Sequence, residues 1–496
     1  MEQKNKKKIS TQTIIKLLLA VVLLGLSAFL LKGDVWTFWT WWLLAGVMGF
    51  AAMPVTGRLF WRFEDKGWIF SKVLAIAATG FLTWFLTAIR LIPFNALTCA
   101  AVTILCAVIC FFLLRKESKE KTECFPVDRI SLIYWEELLF FLAFLMWTYL
   151  AGFRPAAYGT EKFMDYGFME AMMRSTTLPA RDLWYSEGHI NYYYGGQYFA
   201  VFLTKLSHTK VELTYNLMRT FVAGLAFAMP FSLVYQMMSD RMKGLQKSEK
   251  VIKGLPFAAG FTAGTAVSIA GNMHYVIYAQ IIPLIEKLTG KEVSSYWFPD
   301  ATRYIGYNPY REEDRTIHEF PCYSFVLGDL HAHVVNIMFV LLVIALLYVW
   351  LRGVRKKTVP VEASMKDGKF WKEQLLMPHL LVISALLGMF QWTNFWDFVI
   401  YYVVTLGTVL FANIIRFQGK IKKIMVVTFA QMAEIYLLAY LVILPFTLQF
   451  DTMVDGIGIA KYHSYFYQLL VLWGLPAVLT ITFVISILWE KLRGME

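Results

Sequence analysis

Long apolar runs, broken by short basic segments, dominate this chain. Runs of roughly 18 or more residues have the length a helix needs to cross hydrocarbon. They are continuous rather than alternating, which excludes a membrane β-barrel. Helices, which satisfy their own backbone in lipid, remain. The pattern predicts an all-α, polytopic membrane protein of about twelve spans. These fall at roughly 11–32, 36–53, 71–89, 92–113, 132–151, 213–237, 254–271, 333–352, 376–393, 398–416, 423–447 and 466–489. A further apolar piece at roughly 192–206 is short for a span.

The loops set the expected orientation. Lys4, Lys6, Lys7 and Lys8 place the N-terminus in the cytosol. The segments carrying Arg58, Arg62 and Lys66, and Arg115, Lys116, Lys119 and Lys121, follow it there. The stretch with Arg241, Lys243, Lys247, Lys250 and Lys253 joins them only if 192–206 does not cross. That piece is therefore expected as a re-entrant or interfacial helix in the outer leaflet. Arg352, Arg355, Lys356 and Lys357, then Arg416, Lys420, Lys422 and Lys423, then Lys491 and Arg493 also fall inside. Both termini are expected in the cytoplasm of a multi-pass cell-membrane protein. Two long loops, 152–191 and 272–332, share the outer face. Three regions follow: an N-terminal four-helix part (1–131), a core bearing both loops (132–353) and C-terminal membrane helices (354–496).

Composition agrees with this picture. The chain is 58% hydrophobic and only 17% charged, with a mean hydropathy of +0.52. A soluble chain is about a quarter charged. The net charge of +12 is accounted for by the basic loops and does not call for nucleic acid. The five cysteines form no metal or disulfide pattern. The apolar stretch after the basic start is too long for a signal-peptide core, so a retained first helix is expected. No P-loop or dinucleotide fingerprint appears, which argues against an ATP-driven pump. Asp397 and Glu434 are the acids found in or beside spans.

The first outer loop, rich in Tyr and Trp, is too aromatic for disorder. From Thr160, Lys162 and Phe163 a short helix is expected, with Phe163, Phe168, Met169 and Met172 as an apolar face lying on the membrane surface. Asp165 sits in its first turn, where the helix dipole favours a carboxylate. It either supports the helix start or acts as a general base. Glu161 and Glu170 are weaker rivals. His189, Asn191 and the adjacent Tyr192, Tyr193 and Tyr194 come next. Three consecutive tyrosines point in different directions on any helix or strand. They form either an interfacial aromatic belt or the wall of a sugar site. Gly195 and Gly196 behind them would let backbone approach a ligand closely.

The second outer loop holds Trp297, Arg303, Glu319, Asp329, His331 and His333. In a helix Asp329 and His333 share a face; in an extended segment Asp329, His331 and His333 share one side. Asp-x-His-x-His can bind a divalent metal, bind a substrate or cap a helix. No cofactor follows with certainty. Arg303 is the leading phosphate clamp, with Arg174 and Arg181 as competitors.

The segments His189–Ile190–Asn191–Tyr192–Tyr193–Tyr194 and His318–Glu319–Phe320–Pro321, with Asp329–Leu330–His331–Ala332–His333, resemble the YYY, or DUF2298, membrane-protein family. The likeness covers a block from about Asp165 to His333. That family in turn looks like a branch of the GT-C glycosyltransferases. The resemblance implies transfer of a sugar from a polyprenyl-phosphate donor to a saccharide or other acceptor at the outer face of the lipid bilayer. It implies Asp165 as general base of an inverting reaction, with Glu319, Asp329, His331 and His333 as further catalytic candidates. Arg303 and the histidines would steady the departing phosphate. The alternatives are a flippase for lipid-linked saccharides and a metal-dependent membrane hydrolase built on Asp329, His331 and His333. Against the flippase, no two matching halves are visible.

Overall fold

The computed structural model describes residues 10–120, 124–245, 249–355, 364–452, 456 and 458–494. Among them there is no named strand, only isolated bridges between Arg181 and His189 and between Tyr307 and Tyr310. The described residues hold nine helical stretches long and apolar enough to cross a membrane, or ten if one bent pair counts as a span. The all-α polytopic expectation holds. The first stretch, Thr11–Leu59, is not one rod. It comprises α1 (Thr11–Leu31) and α2 (Val35–Leu59) joined by a tight turn at Lys32–Asp34. The Trp39 indole donates to Ser27 Oγ at 3.0 Å. Twelve residues of straight helix would set them roughly 18 Å apart, so the stretch folds back on itself.

The chain divides into two compact units. The first takes in residues 1–264 and 328–451; the second takes in 265–327 and 452–496. Neither unit coincides with a consecutive third of the sequence.

In the first unit α3 (Trp68–Ala88), α4 (Ala96–Glu120) and α5 (Ile130–Ala151) follow α2, then the short α6 (Lys162–Arg174) and α7 (Gly195–Ser207), and the long α8 (Val211–Gly244). α9 (Glu249–Ser268) leads out of it. After the second unit's first segment the chain returns as α12 (Ala332–Val354), α13 (Gly368–Gln374), α14 (Pro378–Thr393), α15 (Phe395–Phe417) and α16 (Ile421–Thr447). The core is aromatic: Phe38 packs on Phe144 with ring centroids 4.3 Å apart, and Trp84 stacks on Trp392 at the same distance.

α13 and α14 meet at 56°. Leu376 adopts φ +55 there and Pro378 starts α14, where its missing N–H does no harm. Side chains of α16 satisfy the backbone groups freed by the break. Gln431 donates to Gln374 O at 2.8 Å, and Glu434 accepts from Leu376 N at 2.8 Å. Glu434 thus serves the backbone, as polar groups beside a broken membrane helix do.

α7 is the helix that the charge pattern kept from crossing. Its 13 residues give roughly 20 Å, short of the roughly 30 Å hydrocarbon core. Protein rather than lipid covers it. Every residue from Gly195 to Lys205 is buried inside the protein. At Gly80 of α3, a Cβ would stand 2.6 Å from the Phe199 ring. The α6 face is likewise turned inward: Phe168, Met169 and Met172 are buried, whereas Phe163 is exposed. Protein, not lipid, covers the apolar stripe, and Lys162 and Asp165 are carried in with it because they share its helical spacing.

The second unit contains a π-helical turn (Val276–Ile281), α10 (Ile282–Leu288), α11 (Pro321–Leu327) and the long α17 (Phe466–Leu492). Tyr304, Val471 and Leu472 form its core. Tyr278 and Tyr304 share a hydrogen bond at 2.6 Å, and Tyr467 and Gln468 both donate to Asn308 O. The long second loop is ordered by these aromatic and amide contacts.

Candidate functional site

The candidate site lies at one end of the first unit, where α5 stops and α8, α12 and α15 begin. Gly328 (φ +94) and the extended His331 at the α12 N-cap leave residues 328–331 as a non-helical link. Leu330 is gripped on both sides: its N–H donates to the Tyr215 hydroxyl at 3.4 Å, and its carbonyl accepts from Gln197 Nε2 at 3.0 Å. The same Gln197 nitrogen donates to Asp165 Oδ1 at 2.7 Å. Gln197 and Asp165 are fully buried.

His331 lies above that carboxylate. Its Nε2 is 3.9 Å from Asp165 Oδ2 and 3.5 Å from Glu161 Oε2. The His331 side chain is 20% exposed, against 1% for Asp165. The imidazole meets the surroundings and the aspartate stands behind it. Beyond Leu330, Asp329 Oδ1 accepts from the Thr160 hydroxyl at 2.6 Å. Lys162 and Arg219 lie close to Gly328. His333 faces Asp397. Asp397 accepts from Asn336 at 2.7 Å and from Asn394 at 2.9 Å, and Thr393 donates to Asn336 Oδ1 at 2.8 Å.

Within this frame a family model described as uncharacterized membrane protein (DUF2298) matches residues 78–496. The chain belongs to the DUF2298 family. No curated protein and no solved structure matches it. The family's description assigns no activity, and the GT-C likeness does not follow from membership. In this DUF2298 chain the match reaches well beyond the block 165–333, and α1, α2 and the start of α3 precede it.

The DUF2298 tyrosines have three different surroundings. Tyr194 is buried; its hydroxyl accepts from Trp84 Nε1 at 3.0 Å and its ring meets Trp392. Tyr193 packs on Phe450. Tyr192 lies against Phe168 and faces Glu161 and Asp165. Burial first, then those two carboxylates, hold its phenol above the usual range. Of the three, Tyr192 is the one at the site. Gly195 and Gly196 admit helices rather than a ligand. A Cβ on Gly195 would stand 2.8 Å from Trp392, and one on Gly196 3.3 Å from the Ala332 backbone.

The other expected residues have surroundings of their own. Asn191 holds the Asp451 backbone by two hydrogen bonds of 2.9 and 3.0 Å. His189 is exposed in a bridge with Arg181. Arg174 is exposed and pairs with Glu170 at 3.7 Å. Trp297, Arg303 and Glu319 belong to the second unit. There the Arg303 guanidinium lies 5.7 Å from the Trp297 ring centre and donates to the Tyr323 hydroxyl at 3.3 Å, while Glu319 accepts from Ser324 at 2.9 Å.

The Asp329, His331 and His333 pattern is divided. The His331 and His333 rings are 5.6 Å apart, and a ring nitrogen of one lies within 4.8 Å of a ring nitrogen of the other. Asp329 turns to Thr160, while His331 turns to Glu161 and Asp165. Gln197 and Arg219 escaped the sequence reading, and Lys162 entered it only as part of the helix start. Arg219 left a signal: a lone arginine inside an apolar span is a functional candidate by default.

Proposed function

We propose that this DUF2298 protein transfers a sugar from a polyprenyl-phosphate donor to an acceptor hydroxyl at the extracytoplasmic membrane face. The observation that carries the reading is the buried Asp165 carboxylate, fixed by Gln197 beneath the partly exposed His331. A carboxylate behind an imidazole offsets the charge that the ring gains when it takes up a proton. His331 takes the proton from the acceptor hydroxyl, and Asp165 stabilises the imidazolium. The acceptor oxygen bonds to the anomeric carbon as the bond from that carbon to the phosphate oxygen breaks. The electron pair leaves on the lipid phosphate, and configuration inverts.

The charge pattern supports the orientation. Arg58, Arg62, Arg129, Arg241, Lys243, Arg352 and Arg416 lie at or near the helix ends opposite the site. By the positive-inside rule that end faces the cytosol. Labelled sugar transfer by purified protein from polyprenyl-phosphate sugars tests the reading. Transfer lost in both Asp165→Asn and His331→Gln, with folding intact, is the expected outcome. Wild-type protein that transfers nothing from any such donor removes the proposal.

A further inference from the structure

A groove of about 530 Å³ runs between two groups of membrane helices in the first unit. α2, α3 and α4 pack on one another, whereas α14 packs on α12, α15 and α16. The space left between the groups has α3 as its floor. Every residue from Ile69 to Gly80 is buried except Ala78, which opens into the groove. Phe81 and Met389 line the end nearer the candidate site, and Val55, Cys110 and Leu381 line the other. Phe81 leans on Trp84 and Trp392, with ring centroids 5.4 and 6.3 Å away, so aromatic rings bound the first end.

Water has little to hold it there. Thr79 and Thr103 supply the hydroxyls on the wall, and each already donates to its own helix, to Ala75 O at 2.7 Å and to Cys99 O at 2.8 Å. A trapped water needs roughly two to four polar partners. An empty space would forfeit the dispersion contacts of its walls. α2, α3 and α4 belong to stretches able to cross a membrane, and α14 to the bent pair. Hydrocarbon is therefore the medium that meets the groove. Its volume falls within the roughly 300–1,000 Å³ of small-ligand pockets.

The charge at one end selects the lipid. Leu44, Met48, Ala51 and Val55 line the groove at helical spacing, and Arg58 is the next residue on that face of α2. Its guanidinium donates to Leu113 O at 3.1 Å, where the apolar stretch of α4 ends. A positive charge thus stands one turn beyond Val55, at the end away from the candidate site. A guanidinium carries five N–H donors, so it can meet a phosphate oxygen as well as a carbonyl. We propose that the groove holds one acyl chain of an anionic phospholipid whose phosphate lies against Arg58. The lipid joins α2, α3 and α4 to α14 where protein alone leaves a gap. This assignment stands independently of glycosyl transfer.

The test reads lipid binding as stability. Full-length protein, stripped of lipid in maltoside micelles, is titrated with dioleoyl phosphatidylglycerol and, separately, with dioleoyl phosphatidylcholine. Its thermal midpoint should rise with both and saturate at a lower concentration of phosphatidylglycerol. Ala78→Leu fills the groove from its floor, and Ala107→Leu fills it from α4. Each should raise the lipid-free midpoint and lose most of the lipid-dependent rise. Arg58→Gln should raise the half-saturating phosphatidylglycerol by about tenfold, the scale of a lost charge-assisted hydrogen bond. It should leave the response to phosphatidylcholine unchanged. Equal lipid-dependent rises in wild type and both folded leucine variants overturn the groove as the binding site. Equal responses to the two phospholipids, unchanged by Arg58→Gln, overturn the anionic headgroup. A rise given by polyprenyl phosphate and by neither phospholipid overturns the acyl chain. A dimer that the leucine variants dissociate, with no response to lipid, overturns the proposal in favour of a second copy.

Discussion

Gln197 Nε2 donates to Asp165 Oδ1 at 2.7 Å and to the carbonyl of Leu330 at 3.0 Å. One amide thus ties the first turn of α6 to the link that carries His331. Removing it frees both partners at once. Asp165→Asn should lower sugar transfer by about 10²–10⁴-fold, the range for a lost acid–base contribution. Gln197→Ala should lower it by a smaller factor, while leaving binding of the lipid donor close to wild type. Transfer rates from labelled donor, read beside thermal midpoints, separate the two effects. Equal rates in wild type and folded Asp165→Asn would eliminate the role given to Asp165.

The three tyrosines should separate cleanly in a Tyr→Phe series. Tyr194→Phe leaves the buried Trp84 indole without its acceptor, which costs about 1–3 kcal/mol of stability. Tyr192→Phe should alter transfer with little change in stability, since its phenol faces Glu161 and Asp165. Tyr193→Phe should change neither. A thermal-shift series run with the transfer assay checks all three. Identical behaviour of the three variants would contradict the surroundings described.

Glycine substitutions should follow the space behind each Cα. Gly195→Ala drives a methyl group into Trp392 and Thr393, at about 1–3 kcal/mol for overpacking. Gly407→Ala meets nothing within 4 Å and lies inside α15, where alanine is favoured by roughly 0.5–1 kcal/mol. Midpoints of unfolding in detergent should therefore move in opposite directions. A fall in both would show that α15 packs differently.

The second unit should loosen in acid. Burial pushes the His274 and His318 imidazoles below their ordinary value of 6.5, with Asp300 opposing weakly at His274. Below that value the unfolded segment takes up protons that the folded one refuses, so stability falls as pH drops from about 6.5 toward the lowered values. Amide exchange over residues 265–327 should quicken across that window. His274→Gln combined with His318→Gln should flatten the response. Exchange that does not change between neutral pH and mild acid would rule the linkage out.

Much of the architecture was legible because hydrophobic length reports directly on helices able to cross a membrane. The segment at 192–206 stood apart from these by its length, and it forms a helix of 13 residues. Its burial was not legible, because periodicity shows that a face is apolar without showing whether lipid or protein covers it. The same ambiguity misplaced the α6 face. At the site, Asp165, His331 and Tyr192 stood out by type and position. Gln197 did not, because a glutamine carries no signal until its partners are known. Glu319 and Arg303 fall within the same loop as Asp329 but belong to another unit, and sequence distance does not report that partition.

The burial of α7 also fixes an order of assembly. Thirteen residues cannot hold a transmembrane position by themselves. α7 packs early against α3, where Phe199 lies on Gly80, but its other side is covered only when Gly196 meets Ala332 of α12 and Gly195 meets Trp392 of α14. Those partners leave the ribosome more than a hundred residues later. That side must wait until the second half of the first unit is inserted, and Gln197 reaches Leu330 only then. A nascent chain that stops before Leu330 thus carries Asp165 and Gln197 but lacks the second acceptor that fixes the amide.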